Sequence, residues 1–168
     1  VVTFENGEDS TAVLSGLTMQ NGSGTTGYIS QLMGGGIFVK NNSYPTIKYN
    51  VIKNNSAYYG GGISSYNNSN PIVKHCVISN NSAFQGGGIQ FQSSSIDLKT
   101  CKIINNSATD SNGGGIYFET PSTTAGSVSN LMFETLIIAN NTDPYGEGVT
   151  GSNADSLTLI NCTIVNNT

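Results

Sequence analysis

The chain of 168 residues contains no arginine, few charged residues of either sign and no long apolar run. Charged residues make up 10% of the chain, and its formal net charge is −4. Because nucleic-acid binding depends on basic contacts to phosphate, this composition argues against a nucleic-acid partner. No segment approaches the roughly 20 consecutive apolar residues of a membrane-spanning helix, so we expect no membrane span.

The sequence also lacks an initiating methionine and a signal peptide, since it begins with two valines. We therefore expect a processed or excised piece of a longer protein. The length fits one domain, and we treat residues 1–168 as a single unit. A disordered chain usually has high charge and few β-branched residues, whereas Ile and Val recur here at fixed spacing.

The chain contains an internal repeat of about 26 residues. Each full copy begins with a glycine turn of the form GGGI, continues through short apolar segments and closes with two asparagines followed by Ser or Thr. The first asparagines of successive pairs lie 26, 25, 35 and 26 residues apart, and they are Asn54, Asn80, Asn105, Asn140 and Asn166. Two insertions lengthen the repeat, one between Asn21 and Gly34 and the other between Ile116 and Leu131.

Apolar residues alternate within each short segment, which indicates β-strands. Alignment of the copies places one isoleucine in each at the same position, namely Ile52, Ile78, Ile103 and Ile138. Once per copy the apolar positions shift from odd to even spacing. This shift predicts a bend in the chain at Tyr49, His75, Thr100, Thr135 and Asn161. Such short strands cannot bury their inner faces alone, but coils stacked at about 4.8 Å can. The sequence therefore predicts an all-β fold, a parallel β-helix of about six coils with three short strands per coil.

The asparagine pairs allow two interpretations. We expect the first asparagine of each pair to point inward, so that its amide bonds along the stack. The same residues begin Asn-x-Ser/Thr motifs, which match acceptors for N-glycosylation. Because an inward side chain cannot carry a sugar, we interpret these motifs as a by-product of the repeat.

The three cysteines, Cys76, Cys101 and Cys162, share one inward position of the repeat. A metal or redox site is one interpretation, and small buried core residues are the other. We favour the core, because free cysteine is among the most buried residues and a metal site needs several clustered ligands. We therefore expect no metal and no cofactor. A disulfide between Cys76 and Cys101 is feasible in distance, but parallel stacking gives it a poor torsion angle.

The GGGI turns and the Ile-x-x-Asn motifs at 52–55, 78–81, 103–106, 138–141 and 164–167 carry a family resemblance. They resemble the GGAI and FxxN repeats of chlamydial polymorphic outer-membrane proteins and, more widely, pectate-lyase-like surface proteins with a right-handed parallel β-helix. The resemblance implies a right-handed coil and an extracellular or cell-surface location. It favours a structural or adhesive module, with a carbohydrate-binding module and a polysaccharide lyase or glycoside hydrolase as alternatives.

Two outward faces are candidate binding surfaces. The strand after the glycine turn offers aromatic faces and hydrogen-bonding groups to a saccharide, and its candidates are Lys40, Tyr66, Gln90, Gln92, Tyr117 and Glu119. The last strand exposes apolar side chains, which favours a partner interface, and its candidates are Val51, Val77, Ile104, Ile137 and Val165. A solvated sheet face and packing between coils are the respective alternatives. Three further lysines, Lys48, Lys74 and Lys99, are expected to stack outward on the middle strand, as an anionic-polymer site or a solvated face.

No catalytic residue can be assigned from the sequence. The family resemblance implies that lyases often use an arginine beside bound calcium, and arginine is absent. Glu119 and Glu147 are the best outward acid pair on adjacent coils, but glycoside hydrolysis needs two carboxylates at a fixed separation across a cleft. We therefore favour a module without enzymatic activity.

The ends of the chain give one more expectation. The repeat is cut at the same point at both ends, and neither end resembles a polar cap. We expect the ends to be covered by further coils of a parent chain or by the next subunit of an end-to-end assembly. The expected partners are therefore neighbouring coils or subunits, with polysaccharide as an alternative.

Overall fold

The computed structural model describes residues 1–27, 30–109, 113–120, 130–154 and 156–168. These residues form 23 β-strands, numbered in chain order, in four sheets. Within these ranges there is no α-helix, and hence no helix that could cross a membrane.

Each of the first three sheets contributes one strand to every coil. Sheet 1 contains β1 (Val2–Phe4), β6 (Ile37–Val39), β10 (Ile63–Tyr66), β14 (Ile89–Gln92), β18 (Ile116–Glu119) and β21 (Val149–Ser152). Sheet 2 contains β2 (Val13–Ser15), β7 (Thr46–Lys48), β11 (Ile72–Lys74), β15 (Asp97–Lys99), β19 (Asn130–Glu134) and β22 (Ser156–Ile160). Sheet 3 contains β3 (Thr18–Gln20), β8 (Val51–Lys53), β12 (Val77–Ser79), β16 (Lys102–Ile104), β20 (Ile137–Ala139) and β23 (Thr163–Val165).

All pairings in these three sheets are parallel and follow the sequence repeat. Ile63 of β10, for example, pairs with Ile37 on one side and Ile89 on the other, each 26 residues away. Each strand of an inner coil in these sheets thus pairs with its equivalents in the coils above and below, and each strand of an end coil pairs with one. The predicted parallel β-helix of six coils with three strands per coil is confirmed.

A fourth sheet was not predicted. It contains β4 (Thr25–Thr26), β5 (Leu32–Met33), β9 (Ser56–Tyr59), β13 (Ser82–Gln85) and β17 (Ser107–Ala108), which precede the glycine turns. The first predicted insertion forms the antiparallel pair β4 and β5, and β5 then joins the parallel strands. Most of the second insertion, residues 121–129, lies outside the described residues.

The predicted isoleucine column forms the centre of the core. Ile52, Ile78, Ile103 and Ile138 are all fully buried, and each pairs in register with the next. The column is least covered in the last coil, where Ile164 is 46% exposed. The inward parity assigned from the sequence is therefore confirmed.

The predicted bends between sheets 2 and 3 are also confirmed. All five bend residues have φ between 52° and 57°, in the left-handed region: Tyr49, His75, Thr100, Thr135 and Asn161. This conformation costs a non-glycine residue roughly 1–2 kcal/mol. Hydrogen bonds between coils hold the bends, since the amide of His75 donates to the carbonyl of Lys99 at 3.1 Å and that of Thr100 to Glu134 at 2.9 Å.

The asparagine ladder exists, but the expected member of each pair was wrong. The first asparagines, such as Asn54 and Asn80, have φ of 55° and are exposed. The second asparagines point inward and are buried in the middle coils, as at Asn55, Asn81 and Asn106. The left-handed residue bends the chain and turns its own side chain outward, so the next residue faces the core. Asparagine is one of the few residues that tolerates this conformation.

The glycine turn wraps the chain closely around the start of sheet 1. Gly60 has φ of +63°, and a Cβ there would lie 2.3 Å from the carbonyl oxygen of Ile63 and 2.9 Å from Cβ of Ser64. At Gly86 the corresponding distances, to Ile89 and Gln90, are 2.4 Å and 2.7 Å. The turn therefore covers the first outward position of the following strand, and only glycine fits there.

Candidate functional surfaces

The predicted saccharide face is partly closed by these glycine turns. Phe38, Ser64 and Gln90 occupy the first outward column of sheet 1, and all three are fully buried. The Ser64 hydroxyl donates to Oε1 of Gln90 at 2.7 Å. Because Gln90 has no exposed surface, its predicted direct contact with a saccharide is wrong. Tyr117 continues the column and is half-buried.

The second outward column of sheet 1 remains on the surface. Tyr66, Gln92 and Glu119 lie in register on successive strands and are half-buried, as is Lys40 one coil earlier. Nζ of Lys40 lies 2.9 Å from the Glu5 carboxylate, and Nε2 of Gln92 donates to Glu119 at 3.0 Å. The structure thus brings these side chains into one column, where Gln92 and Glu119 bond to each other. Their binding of saccharide stays a prediction.

The two candidate acids are engaged separately. Glu119 accepts the hydrogen bond from Gln92, and Glu147 accepts one from the Thr150 hydroxyl. These contacts position each carboxylate on its own strand or turn. The structure therefore gives the lyase or hydrolase alternative no specific support.

The predicted partner face on sheet 3 points outward, as expected, but a lysine interrupts it. Val77 pairs with Lys102, which in turn pairs with Ile137. Val51, Val77 and Ile104 are half-buried, whereas Ile137 and Val165 are 39% and 43% exposed. The five residues share a face without forming an uninterrupted apolar column, and their role as a partner interface stays a prediction.

The three cysteines are free thiols in the inward position between sheets 2 and 3. Cys76 and Cys101 are buried, and each thiol bonds to backbone carbonyls, at 3.4 Å to Lys74 and 3.3 Å to Lys99. The hydrogen bond with Cys76 and burial both raise the pKa of the Cys101 thiol, so it stays protonated and unreactive. Among the described residues no three potential ligands group to hold a metal ion. The interpretation as core residues is confirmed for Cys76 and Cys101.

The structure contradicts our reason for setting aside N-glycosylation, which was that the first asparagine of each pair points inward. Asn54, Asn80, Asn105 and Asn140 are the acceptor residues of Asn-x-Ser/Thr motifs, and all four are exposed. Burial therefore does not prevent their modification. The repeat still supplies a structural reason for both asparagines, since the first forms the turn and the second forms the ladder.

A further surface follows the bend between sheets 2 and 3. We name it the bend edge, and it consists of Lys48, Tyr49, Lys74, His75, Lys99, Thr100 and Lys102. The three predicted outward lysines of sheet 2 are in register on adjacent strands. At the bend, the rings of Tyr49 and His75 stack with centroids 4.9 Å apart and planes within 4°. Tyr49 is 59% exposed, and His75 is also exposed.

The bend edge continues into a shallow depression of about 180 Å³. Its lining is Thr100, Cys101, Lys102, Thr135, Leu136, Ile137, Asn161 and Thr163. In these coils the bend residue is Thr or Asn, whereas two earlier coils carry the Tyr49 and His75 rings. The bend residues and the outward lysines were both visible in the sequence, where Lys48, Lys74 and Lys99 each directly precede a bend residue.

Stacked parallel coils with an inward asparagine ladder define the chain as a parallel β-helix protein. The family model described as the right-handed β-helix region matches residues 2–130, and the chain belongs to this family. Neither the search of curated proteins nor that of solved structures gave a significant match.

Proposed function

We propose that the chain is a rigid structural module of an extracellular or cell-surface protein, which holds its outer faces at fixed positions for adhesion. The observation that carries this proposal is the continuous ladder of second asparagines. The carboxamide oxygen of Asn81 accepts from both the backbone and the side-chain nitrogen of Asn55, each at 3.0 Å. The same pattern repeats through Asn106 and Asn141 to Asn167.

The ladder explains why such a module would be stiff. Each side-chain nitrogen also donates back to a strand carbonyl, as Asn81 does to Ile52 at 2.9 Å. Buried amides with all their partners strengthen one another in a medium of low dielectric constant. A coil therefore cannot shift relative to its neighbour without breaking several buried hydrogen bonds together.

The surface location is supported by the resemblance of the glycine turns and Ile-x-x-Asn motifs to the repeats of chlamydial surface proteins. The test is protease treatment of intact source cells, followed by detection with an antibody to this segment. We expect loss of the signal on intact cells, while a cytoplasmic marker stays protected. Detection only after cell lysis would contradict the proposed location.

Carbohydrate binding by the Tyr66 column is a second candidate. The observation that favours it is the placement of Tyr66 in register beside the bonded pair of Gln92 and Glu119 on an outward face. We expect Tyr66→Ala and Gln92→Ala to weaken retention of the protein on a glycan array, with an unchanged melting temperature. Retention of both variants equal to that of the parent chain would exclude this surface.

A further inference from the structure

A line of exposed asparagines runs along the corner between sheets 3 and 4. Each of them directly follows a strand of sheet 3, has a left-handed backbone and precedes Ser or Thr by two residues. We name its members in the four inner coils the turn column, and they are Asn54, Asn80, Asn105 and Asn140. The hydroxyl residues Ser56, Ser82 and Thr142 are exposed as well. In these coils both recognised parts of the Asn-x-Ser/Thr motif therefore lie at the surface.

The carboxamides of the turn column bond to no other residue in the described part of the chain. Other asparagines differ, since Nδ2 of Asn81 uses both of its hydrogens, in bonds to Asn106 and to the carbonyl of Ile52. At the corner between sheets 1 and 2, Asn67 donates to Asn41 at 3.0 Å. A sugar on Nδ2 replaces one of its two hydrogens. It would break a buried hydrogen bond on the ladder, whereas on the turn column it would break none.

We propose that the turn column carries N-linked glycans, on alternate coils of the folded protein. In this modification Nδ2 attacks the anomeric carbon of an oligosaccharide that is held on a lipid-linked phosphate. A C–N bond forms, the bond from the anomeric carbon to the phosphate oxygen breaks, and Nδ2 loses one proton as the lipid-linked phosphate leaves. The transfer takes place outside the cytoplasm, so this inference rests on the proposed extracellular or cell-surface location.

The spacing of the coils limits how many sites carry a sugar. Successive turns bond directly, since the amide of Asn80 donates at 3.2 Å to the carbonyl of Ile104, the residue before Asn105. Equivalent residues therefore lie about 4.8 Å apart, the separation of neighbouring strands. N-linked glycans are bulky, and two of them do not fit side by side at this spacing. One molecule thus carries glycans on non-adjacent members, such as Asn54 with Asn105 or Asn80 with Asn140.

The first test isolates the segment from the surface of its source cells and locates sugars on asparagine by peptide mass spectrometry. Cleavage after Lys53, Lys74 and Lys99 places Asn54 and Asn80 in separate peptides. We expect a sugar on at least one member of the turn column. A surface-exposed segment with all four members unmodified would overturn the inference and leave the proposed location standing. A segment found only in the cytoplasm would overturn both.

The second test secretes the 168-residue chain from a eukaryotic host and measures the modified fraction at each site. In the folded, secreted protein we expect sugar on the turn column, with the modified fractions of any two adjacent members adding to one or less. Fractions for Asn54 and Asn80 that add to clearly more than one would show two glycans side by side. That result, or the absence of sugar from all four members, would overturn the proposal.

A matched pair of variants tests the competition between neighbours. Ser82→Ala removes the motif at Asn80 but keeps the left-handed asparagine, whereas Ser82→Thr keeps both. Ser82 is exposed and its hydroxyl bonds to no described residue, so both variants should fold as the parent chain does. We expect Ser82→Ala to raise the modified fractions of Asn54 and Asn105, because their shared neighbour no longer carries a sugar, and Ser82→Thr not to raise them. Equal fractions in the two variants would overturn the alternation.

Discussion

The two asparagines that close each coil have the same side chain and different functions. Asn80 has a left-handed backbone and an exposed side chain, which suits the turn itself. Asn81 is buried and connects three coils, because its amide accepts from Asn55 and donates to Ile52 and Asn106. Chemistry alone does not distinguish the pair, but backbone conformation does.

This difference predicts unequal effects of substitution. Asn81→Leu removes the acceptor of the Asn55 amide and the donor to the Ile52 carbonyl, so unpaired groups should each cost about 1–3 kcal/mol. Asn80→Gly keeps the turn, since glycine adopts positive φ readily. We expect a large loss in the free energy of unfolding for the first variant and a change of a few tenths of a kcal/mol for the second, as measured by denaturant titration. Similar effects would contradict the assignment.

The core offers a second matched pair within one strand. Ile138 is fully buried, whereas its neighbour Ile137 is 39% exposed. Ile138→Ala should cost about 2–5 kcal/mol, because it leaves a cavity in a tightly packed column. Ile137→Ala should cost clearly less. A loss below about 1 kcal/mol for Ile138→Ala in denaturant melts would contradict the inward parity of β20.

The sequence predicted the core residues and the bends between sheets 2 and 3, but it did not predict which asparagine of each pair faces the core, and the reason is physical. Ile78 and its equivalents recur at a position whose parity is fixed by strand alternation. The orientation of Asn80 depends instead on the sign of φ at that residue. Two adjacent asparagines give no signal of which one is left-handed, so the inward member was assigned wrongly.

At the scale of elements, the turns decide which surfaces are available. The bends at Tyr49 and His75 project side chains outward, whereas the glycine turns at Gly60 and Gly86 fold over sheet 1 and bury Gln90. Both turns use positive φ, and the glycine turns also bring the backbone against their own following strand.

Alanine substitution should separate close packing from backbone conformation. Gly16 has φ of +74° with no atom within 4 Å of its Cβ position, so Gly16→Ala should cost about 1–2 kcal/mol. Gly60→Ala adds a contact of 2.3 Å with a carbonyl oxygen. We expect about 2–5 kcal/mol for Gly60→Ala, since overpacking adds to the conformational cost. Equal melting temperatures for the two variants would show that the turn relaxes freely.

The three main strands of each coil were predictable, but the fourth was not. Alternating apolar residues identify β11 and β12, whereas β13 has the sequence SAFQ and no regular alternation. Its pairing with β9 results from the stacking of neighbouring coils. The burial of Gln90 was not predicted either, because it depends on how the glycine turn packs over sheet 1 in three dimensions.

At the scale of the molecule, each coil is stabilised by its two neighbours. Interior coils bury the isoleucine column fully, while Ile164 in the last coil is 46% exposed. In solenoids the stability is approximately a sum of terms for each repeat and each interface. A coil with one neighbour therefore has one stabilising interface fewer than a coil with two, and it should be less stable.

This predicts a gradient of hydrogen exchange in the 168-residue chain. The amides of β12 and β16, in the middle coils, should exchange most slowly, and those of β3 and β23 most rapidly. The difference should be measurable by native-state hydrogen–deuterium exchange with mass spectrometry. Uniform protection of all coils would indicate that the chain opens only as one cooperative unit.

The hydrogen bonds between the asparagine side chains of the ladder all run in the same direction. The carboxamide nitrogen of each asparagine from Asn55 to Asn141 donates to the carboxamide oxygen of the next, and the last acceptor is Asn167. The ladder therefore has a direction: its carboxamide oxygens accept from the N-terminal side, and its carboxamide nitrogens donate towards the C-terminal side. A further coil would extend the ladder only if it arrived in the same orientation. Two identical ends placed face to face by a twofold axis would oppose donor to donor or acceptor to acceptor.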